Sequence, residues 1–564
     1  MVKLGMDFGS TYTIVSVFRE DTVVLEVLSL GEGLSPNIPS VVAKGKGEVT
    51  IGFSAKNKTG KKGYTVYKAF KMLLAVTDSG KLAERGYDQE NNPEEITRTF
   101  IGEVLSQVLE SLHETRINSL VVGVPEIWNN SLETLGGKAI LRDICRSLDF
   151  VDADGVKVVS EPAAASAYFA HNYHLLTKHN FDGCILLLDY GGGTLDITLS
   201  RVMPSSRKDG ANSMELKVLE RKGAGENEEG RVGEAGIVYM ETVMDWAIRR
   251  SGLTDGEAPE YDGAFYRAVN DLEFELQTST KKIQLIFEEY GLDYLEELNQ
   301  EKFVDIEYGR EEVSVSYGLL LEVYNQVIWG VFDRKMDEIM EYMDENGIDY
   351  MDGSRDDFKI ALVGGFGNFY LVKRQIKDKF KLGHNDKRQE NIIVDKAGCE
   401  RAVSLGAALL AADVIGIRST ADFSIGMWAY DINKRICMNY AIRYKQEIEV
   451  NTVYYARSSV DGEIFVIQAI SGGFDKFLIN LGSDDRLANF GLLKEKFAKK
   501  LSNVVTNQYH TAVVGFSVDP SNVVSVHVRD YDLMQGVISD EDHVVELTKF
   551  NDLFEVATVG TLLG

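Results

Sequence analysis

Apolar residues near the start of the chain form short runs that end at an acidic residue and a turn of small residues. The segment KLGMDFGSTYTIVSVF has the pattern of an apolar strand, a Gly/Ser/Thr turn and a second strand. The segment ILLLDYGGGTLDITLSRV repeats this order, and IALVGGFGN is another strand that ends in a glycine turn. This repetition predicts two related half-domains that face one ligand.

Helical spacing of apolar residues separates these strands. Residues 93–114 have this spacing, with Pro93 and acidic residues in the predicted first turn. Long helices are predicted between about 236 and 350, and an alanine-rich helix over 401–416. Residues 214–232 are charged and rich in glycine, which predicts a loop.

The pattern changes after about residue 420. Segments such as EIFVIQAI, FLINLG and VVSVHVRD predict short strands with turns between them, interrupted by one predicted helix over 490–501. We therefore expect a boundary near 416–422, between a domain of residues 1–416 and a β-rich domain of residues 423–564.

The charge balance argues against two classes of partner. The 60 Lys and Arg residues are outnumbered by 87 Asp and Glu residues, which gives a net charge of −27. This charge repels the phosphate backbone of nucleic acids and anionic membranes. The four cysteines form no CxxC pair, and the start MVKLGMDFGS has no apolar signal core. We predict a cytoplasmic protein that binds neither nucleic acid nor a membrane.

The first strand pair carries candidate ligand-binding groups. Asp7 ends a strand, Gly9 permits a tight turn, and three residues then offer backbone N–H groups and hydroxyls: Ser10, Thr11 and Tyr12. Successive N–H groups in a turn suit phosphate, and a carboxylate suits Mg²⁺ directly or through water. Because DxG turns are common, an ordinary structural turn is the alternative.

The second strand pair carries a stronger signal. Three consecutive glycines are costly in a strand pair unless the backbone must approach something closely. An acid precedes them, and a hydroxyl and a second acid follow: Asp189, Gly191, Gly192, Gly193, Thr194 and Asp196. The motifs GxxxxGK[ST] and GxGxxG are both absent from the sequence. A phosphate cradle here would be built from hairpins, and a plain hairpin turn is the alternative.

Two further segments complete the set. Gly364 and Gly365 end a buried strand, where a flat ring could lie on bare backbone. Glu161 and Pro162 precede a run of small residues, which also fits close packing between helices.

The order of these segments resembles the actin, hexokinase and heat-shock ATPase superfamily, and within it the DnaK-like 70-kDa heat-shock chaperones match best. The matching landmarks are SPNIPSVVA, IGFSAK, YTVYKAFKMLL, VGVPEIWNN, SEPAAASAYFA, LLLDYGGGTLDITL, ALVGGFG and ERAVSLGAALLAA. The resemblance covers about residues 1–416. It implies an α/β fold of two actin-like lobes that bind ATP or ADP with Mg²⁺, followed by a β-rich C-terminal domain.

The resemblance also implies roles for individual residues. Lys71, or Lys68 if the alignment slips, resembles the lysine near the γ-phosphate, and Glu161 the carboxylate near Mg²⁺ and the attacking water. The resemblance implies phosphate loops at Gly9, Ser10, Thr11 and Tyr12 and at Asp189, Gly191, Gly192, Gly193 and Thr194, and a nucleoside side at Gly364, Gly365, Phe366 and Glu400. Catalysis is assigned to Lys71, Glu161, Asp189 and Thr194, and the metal to Asp7 and Asp189.

This sequence departs from the family on the nucleoside side. The family's turn Gly-Gly-Ser-x-Arg is replaced by GGFGN at 364–368, so the arginine that stacks on the base is lost. The family's nucleoside-facing lysine has Lys281 or Lys282 as its candidate. Adenine selectivity is therefore an open question.

The sequence also departs from the family where the domains communicate. No arginine occurs near Glu133 and no acidic-leucine linker is recognisable at 412–422. We also expect no helical lid on the β-rich segments. We therefore expect nucleotide to alter the C-terminal domain less than in the family, or by a different route.

The leading interpretation is a slow, divergent chaperone-like ATPase. Its nucleotide state would alter how the C-terminal domain holds a polypeptide client or a dedicated protein partner. That domain is either a degenerate peptide-binding domain without a lid or an unrelated β-domain. The alternatives are a nucleotide-sensing scaffold with little hydrolysis, an actin-like filament protein, and a small-molecule kinase of the same fold.

Overall fold

A computed structural model of the chain shows two α/β lobes and a β-rich C-terminal region. It describes residues 1–30, 35–74, 76, 78–126, 128, 136–191, 195–205, 214–224, 236–254, 257–351, 356–382, 392–393, 401–421, 423–430, 436–457, 464, 466–467, 477–481, 489–493, 509–546 and 554–557. The predicted site residues Gly192, Gly193, Thr194 and Glu400, together with Glu133, lie outside the described residues.

Lobe I is built on the first nine strands. They are β1 Lys3–Phe8, β2 Tyr12–Arg19, β3 Val24–Val27, β4 Ile38–Pro39, β5 Val41–Gly45, β6 Glu48–Ile51, β7 Thr65–Lys68, β8 Ser119–Val124 and β9 Val156–Ser160. The main sheet has the order β3-β2-β1-β8-β9, in which β1 pairs antiparallel with β2 and parallel with β8. The carboxyl ends of β1, β8 and β9 therefore lie at one edge of the sheet, where ligands commonly bind.

Lobe II repeats this plan with eight strands. They are β10 Gly183–Tyr190, β11 Leu195–Pro204, β12 Met214–Ala224, β13 Lys302–Tyr308, β14 Glu311–Ser316, β15 Phe358–Val363, β16 Ile392–Ile393 and β17 Ile415–Ile417. The main sheet has the order β16-β15-β10-β11-β12-β17, with β10 antiparallel to β11 and parallel to β15. The hairpin β10–β11 is thus the counterpart of β1–β2, as the repeated pattern predicts.

The helices cover both lobes. Those in lobe I are Gly52–Lys56, Phe70–Leu73, Ser79–Glu84, Pro93–Leu112, Gly136–Arg146, Glu161–Thr177 and the 3₁₀ turn Ala153–Gly155. The later ones are Gly236–Ser251, Gly263–Thr278, Thr280–Tyr290, Leu295–Gln300, Tyr317–Val323, the π-helix Tyr324–Trp329, Gly330–Glu345, the 3₁₀ turn Phe366–Asn368, Tyr370–Lys379 and Ala402–Ala411. The helix predicted over 93–114 is present, and the Asn92 side chain caps it by accepting a hydrogen bond from the Glu95 N–H at 3.0 Å.

Two helices of small residues join the lobes. The helix Glu161–Thr177 follows strand β9 of lobe I but packs on β10 and β11, whereas Ala402–Ala411 packs on β1, β2 and β8. A Cβ added to Gly406 would lie 1.7 Å from the Ala164 carbonyl oxygen, and one added to Gly5 would lie 2.1 Å from the Ala408 nitrogen. Small residues are required here because the helices touch each other and the sheet at backbone distance.

The C-terminal region consists of two sheets. Its strands are β18 Phe423–Tyr430, β19 Ile436–Ile442, β20 Tyr454–Tyr455, β21 Val466–Ile467, β22 Phe477–Leu481, β23 Asn489–Leu493, β24 His510–Val518, β25 Val524–Asp532, β26 Val537–Glu546 and β27 Phe554–Ala557. One sheet has the order β19-β18-β22-β23-β27, and the other has β20-β24-β25-β26 with β21 also paired to β24. The predicted fold class, a two-lobed α/β fold followed by a β-rich region, is confirmed, while the boundary near 416–422 stays a prediction.

Two predictions of secondary structure are wrong. Met214–Ala224 is strand β12, not a loop, because it pairs with both β11 and β17. Asn489–Leu493 is strand β23 between β22 and β27, not the start of a helix, and residues 494–501 lie outside the described ranges. In both cases strand pairing between distant segments overrides the local composition.

Candidate functional site

The first hairpin places Asp7 at the carboxyl end of β1, opposite Ile14. The turn is tight, since a Cβ on Gly9 would lie 2.3 Å from the Tyr12 carbonyl oxygen. The Ser40 hydroxyl fixes it by donating to the Gly9 carbonyl at 2.6 Å. The hydroxyl of Thr11 is buried and has no hydrogen-bond partner among the described residues. A ligand with acceptor or donor oxygens at this turn would satisfy that hydroxyl.

A buried ion pair lies behind this turn. The Lys71 ammonium contacts the Glu161 carboxylate, and both residues are buried. Glu161 opens the helix Glu161–Thr177, whose first turn is capped by the Ser160 hydroxyl at 3.2 Å from the Ala163 nitrogen. Lys68, the alternative to Lys71, instead donates to the Asn270 side chain at 3.2 Å. Of the two lysines, only Lys71 reaches the predicted carboxylate.

The second hairpin places two buried carboxylates side by side. Asp189 at the end of β10 pairs in register with Asp196 on β11. One oxygen of Asp196 accepts a hydrogen bond from the Glu126 N–H at 3.1 Å. Its other oxygen, Oδ2, is buried without a hydrogen-bond partner in the described structure. Gly191 is also fixed, because its carbonyl accepts from the Gly236 N–H at 3.2 Å.

The buried carboxyl groups of both hairpins have raised pKa values, and the nearby Glu161 contributes to each shift. Burial, together with the nearby Glu161 charge, raises the pKa of Asp7 to about 7, although Lys71 opposes this shift. Burial, Glu161 and Asp7 raise the pKa of Asp189 well above its usual value. Asp196 has a raised pKa for similar reasons, with burial the largest cause. The two hairpins therefore meet at one acidic site that contains Lys71, and such a site favours a further cation.

The carboxylates of the two hairpins fit a magnesium ion whose remaining ligands are water and phosphate oxygens. The described residues contain no cluster of three or more His, Cys, Asp or Glu side chains with metal-binding geometry. Mg²⁺ is commonly held by one or two carboxylates, with water and phosphate oxygens as the remaining ligands. Asp7 and Asp189 fit that arrangement, and their role as ligands stays a prediction.

The third predicted element is the turn that follows β15. Gly364 has φ of +80°, and a Cβ there would lie 2.5 Å from the Tyr190 carbonyl oxygen and 2.6 Å from a carboxylate oxygen of Asp189. Gly365 is exposed, and a Cβ there would meet nothing within 4 Å. Phe366 is half buried and packs against aromatic rings behind the turn. The turn thus lies directly beside the second hairpin.

The sequence did not predict the contacts between the two lobes near the first hairpin. The Lys56 ammonium lies 3.1 Å from a carboxylate oxygen of Glu273 and 3.4 Å from the Tyr12 hydroxyl. Gly60 and Gly263 approach closely, since a Cβ on Gly263 would lie 2.8 Å from the Gly60 Cα. The helix Gly263–Thr278 therefore fastens lobe II to the first hairpin of lobe I. The segment IGFSAK was a family landmark, but nothing in the sequence identified Glu273 as its partner.

Contacts between the lobes and the C-terminal region were also not predicted. In lobe I, the buried Arg142 pairs with Asp519, and the Ser521 hydroxyl accepts from the Val158 N–H at 3.0 Å. In lobe II, Glu220 of β12 pairs with Lys445. A single C-terminal region therefore contacts both lobes.

Comparisons with known proteins agree with this architecture. A heat shock 70 kDa protein of Emericella nidulans is 22% identical over 441 residues, which is 74% of this chain and 59% of that protein. A heat shock 70 kDa protein of Ajellomyces capsulatus is 28% identical over 226 residues, 35% of this chain and 29% of the relative. The chaperone protein DnaK of Metamycoplasma hominis is 30% identical over 196 residues, with shares of 35% and 29%. No protein-family model matches the chain.

The fold and the site define a two-lobed α/β protein of the kind that the hairpin pattern predicts. The resemblance to the 70-kDa heat-shock and DnaK proteins is confirmed, and at 22–30% identity the chain is a divergent relative of them. The matched regions span between 29% and 59% of the length of these three relatives. Within the described residues, no helix is long and apolar enough to cross a membrane.

Proposed function

We propose that this protein is a divergent, slow, chaperone-like ATPase that binds Mg-ATP between its two lobes. One observation carries the proposal: both hairpins bring buried carboxylates to Lys71, beside a turn where the buried Thr11 hydroxyl has no hydrogen-bond partner among the described residues. Carboxylates with raised pKa values in such a place suit a bound cation, and glycine turns suit phosphates.

The reaction is attack by water on the γ-phosphate. An oxygen–phosphorus bond forms as the bond to the bridging oxygen of ADP breaks, and the proton of water leaves to a base or to solvent. Asp7 and Asp189 would hold Mg²⁺, which supplies positive charge to the phosphates when bound. The turn after Gly9 would bind and orient the phosphates through its N–H groups, and Thr194 would add a hydroxyl. Lys71 would stabilise the negative charge that develops on the transferred oxygens, and Glu161 would orient the water.

The C-terminal region would bind a polypeptide client or a dedicated protein partner. The support is its two-sided attachment: Arg142 and Val158 hold it to lobe I, and Glu220 holds it to lobe II. A change in the angle between the lobes would therefore act on this region at two places. We propose that the protein is cytoplasmic.

One observation favours a second candidate, a nucleotide-sensing scaffold with little hydrolysis. The Glu161 carboxylate is already paired with Lys71. A carboxylate held in this way is less available to orient water, whereas phosphate binding at the turns is unaffected. The two candidate functions predict different rates of ATP turnover, and both predict nucleotide binding.

The test is thermal melting of the full chain with and without Mg-ATP, together with a measurement of phosphate release. ATP at about 100 times its Kd should add about 2.7 kcal/mol to the free energy of unfolding. If the native protein releases phosphate and Lys71→Met abolishes this activity, the ATPase proposal is supported. If the native protein binds ATP but releases no phosphate, the scaffold proposal is supported. The absence of any stabilisation at millimolar nucleotide, with or without Mg²⁺, would overturn both.

A further inference from the structure

The turn between β25 and β26 in the C-terminal region carries a cluster of exposed apolar side chains. Four large apolar residues there are each at least half exposed: Tyr509, Leu533, Met534 and Val537. Tyr509 belongs to the cluster because its carbonyl accepts a hydrogen bond from the Leu533 N–H at 2.9 Å. We call these four residues the apolar knob. Clustered exposed apolar residues mark an interaction site more often than single ones do.

The turn that carries the knob is held by its own hydrogen bonds. The Asp532 carboxylate accepts from the N–H groups of Met534 at 2.8 Å and Gln535 at 3.0 Å. The Asp532 carbonyl accepts from the Gly536 N–H at 2.8 Å, and Gly536 has the left-handed φ of +68° that glycine tolerates. Binding to the knob therefore requires little further ordering of the turn.

The knob lies far from the place where its sheet contacts lobe I. That contact is made by Asp519 and Ser521, in the turn between β24 and β25. Strand β25, Val524–Asp532, runs from that turn to the knob, a distance of roughly 26 Å at about 3.3 Å per residue. The knob is therefore presented away from this contact.

Lobe I has an apolar cavity of about 410 Å³. It lies between β6, the helix Gly52–Lys56 and the helix Pro93–Leu112, and its apolar lining consists of Leu30, Ile38, Val49, Ile51 and Phe53. Val49 and Phe53 reach the surface, with 52% and 37% of their area exposed. Glu103 and Gln107 of the long helix also line it and hydrogen-bond each other at 3.3 Å. A cavity of this size and lining accepts apolar side chains.

The knob and the cavity carry opposite charge around them. Residues 530–542, around the knob, include five acidic residues and no lysine or arginine. Residues 44–64, beside the cavity, include six lysines and one acidic residue. The Lys58 ammonium lies 3.2 Å from the hydroxyl of Thr50, which lines the cavity. Positive charge thus stands at the cavity, although the whole chain has a net charge of −27.

Several of these lysines are available to a partner. Lys58 is paired with Glu48 at 2.6 Å. Lys46 lies beside Lys58, because both ammonium groups stand over the Tyr64 ring, at 5.0 and 4.7 Å from its centroid. The exposed lysines 46, 61 and 62 have no ion pair within the described part of the chain. They can meet carboxylates of another molecule.

We propose that the apolar knob of one molecule docks into the lobe I cavity of a second copy, with the acidic residues around the knob facing the lysines around the cavity. The two surfaces differ, so the contact is head-to-tail, and each molecule in a pair keeps one free knob and one free cavity. The contact is small, so the association is weak. This inference goes beyond the proposed function and does not depend on nucleotide binding.

The experiment is sedimentation velocity of the full chain over a range of protein concentrations, at low and at high salt. The native protein should associate as its concentration rises, and less so at high salt because salt screens the charges. Met534→Asp alters the knob and Val49→Asp alters the cavity. Each variant alone should associate at least about tenfold more weakly, because it places an unpaired carboxylate in an apolar contact.

An equal mixture of the two variants tests the head-to-tail geometry. Val49→Asp supplies an intact knob and Met534→Asp an intact cavity, so the mixture should form dimers and nothing larger. Leu176→Asp is the control, since Leu176 is an exposed apolar residue at the end of the helix Glu161–Thr177, and it should associate like the native protein. Melting temperatures verify that all three variants are folded.

Four outcomes would overturn the inference. A native protein that stays monomeric up to its solubility limit would show that the knob and the cavity do not bind each other. Association of either single variant at the native strength would place the contact elsewhere. A mixture that stays monomeric, or one that forms assemblies larger than dimers, would rule out the pairing of one knob with one cavity.

Discussion

The two hairpins share a backbone plan but differ in charge. In lobe I, Asp7 lies opposite the apolar Ile14, whereas in lobe II Asp189 lies opposite a second carboxylate, Asp196. The first hairpin thus contributes one carboxyl group to the cleft and the second contributes two. A repeated motif therefore does not imply equal electrostatics, because the residue paired across the hairpin also determines the local charge.

The second hairpin also has a contact that the first lacks. The Glu126 N–H, just beyond β8 of lobe I, donates to Asp196 in lobe II. The Glu126 carboxylate lies 3.6 Å from Arg221 on β12. The extra carboxylate of lobe II therefore links the two lobes, while Asp7 has its largest charge interactions with Glu161 and Lys71.

The largest expected effect comes from removing the cation that both hairpins share. Lys71→Met would leave Glu161 without its buried partner, and we expect a loss of about 3–5 kcal/mol in the free energy of unfolding. Lys68→Met is the matched control, since Lys68 binds the neutral Asn270 side chain, and it should cost clearly less. Urea denaturation of the nucleotide-free protein measures both. Equal losses for the two variants would mean that Lys71 is not the shared counter-charge.

The second prediction distinguishes the carboxylates that act on the metal and the water from the turns that bind the phosphates. Asp189→Asn should lower turnover by about 100-fold, because a carboxylate that acts on the metal and the reacting phosphate is lost. The Kd for ATP should change much less, since the backbone turns hold the phosphates. Glu161→Ala should behave in the same way.

Phosphate release and calorimetry on the same preparations check this prediction, with Asp7→Asn measured beside them. Normal turnover in both Asp189→Asn and Glu161→Ala would show that the assigned site is wrong. A larger loss in Asp7→Asn than in Asp189→Asn would show that the first hairpin dominates the metal site.

The third prediction makes the second hairpin electrically similar to the first. Asp196→Asn replaces a buried carboxyl group, whose pKa is raised by burial and by neighbouring carboxylates, with a neutral amide whose oxygen can still accept from Glu126. We expect the nucleotide-free protein to gain roughly 1 kcal/mol at pH 7. Asp149→Asn, at an exposed position, is the control and should have no effect. A loss of stability in Asp196→Asn would indicate that its carboxylate is paired with a cation even without nucleotide.

Local features of the site could be predicted from the sequence, whereas distant pairings could not. The sequence predicts that Asp7, Glu161, Asp189 and Gly364 lie close together, because each lies at or just after the end of a strand with a distinct local pattern, and the structure places them so. The contacts Lys56–Glu273 and Arg142–Asp519 join residues 217 and 377 positions apart, and no local pattern indicates such partners. Strand β12 was mistaken for a loop for the same reason, since Glu220 and Arg221 are stabilised by partners from distant segments.

The smallest expected effect is the change that nucleotide binding causes in the C-terminal region. The stretch around residue 133 contains no arginine, but other contacts join lobe I to this region: Arg142 pairs with Asp519, and the Ser521 hydroxyl accepts from the Val158 N–H. Val158 lies on β9, two residues before Ser160, which caps the helix that begins at Glu161. A shift of Glu161 on ATP binding would therefore reach Ser521 through one strand. We expect a change of roughly fivefold in hydrogen exchange, equivalent to about 1 kcal/mol of coupling, confined to residues 519–523 and 443–447.

Hydrogen exchange in ATP, in ADP and without nucleotide would measure this coupling, with Ser521→Ala as the test variant. Ser521→Ala removes the acceptor but leaves the predicted nucleotide site intact, so it should abolish the response at 519–523 while turnover stays normal. An unchanged response at 519–523 in that variant would assign the coupling to the Arg142–Asp519 pair, which contacts the same segment. Broad ATP-dependent changes through the strands of 423–557 would contradict the expectation of weak coupling, because a response confined to two contact segments cannot reorganise both sheets. The contacts favour the confined response, since within the described residues each lobe contacts the C-terminal region through a short segment and not through a shared strand.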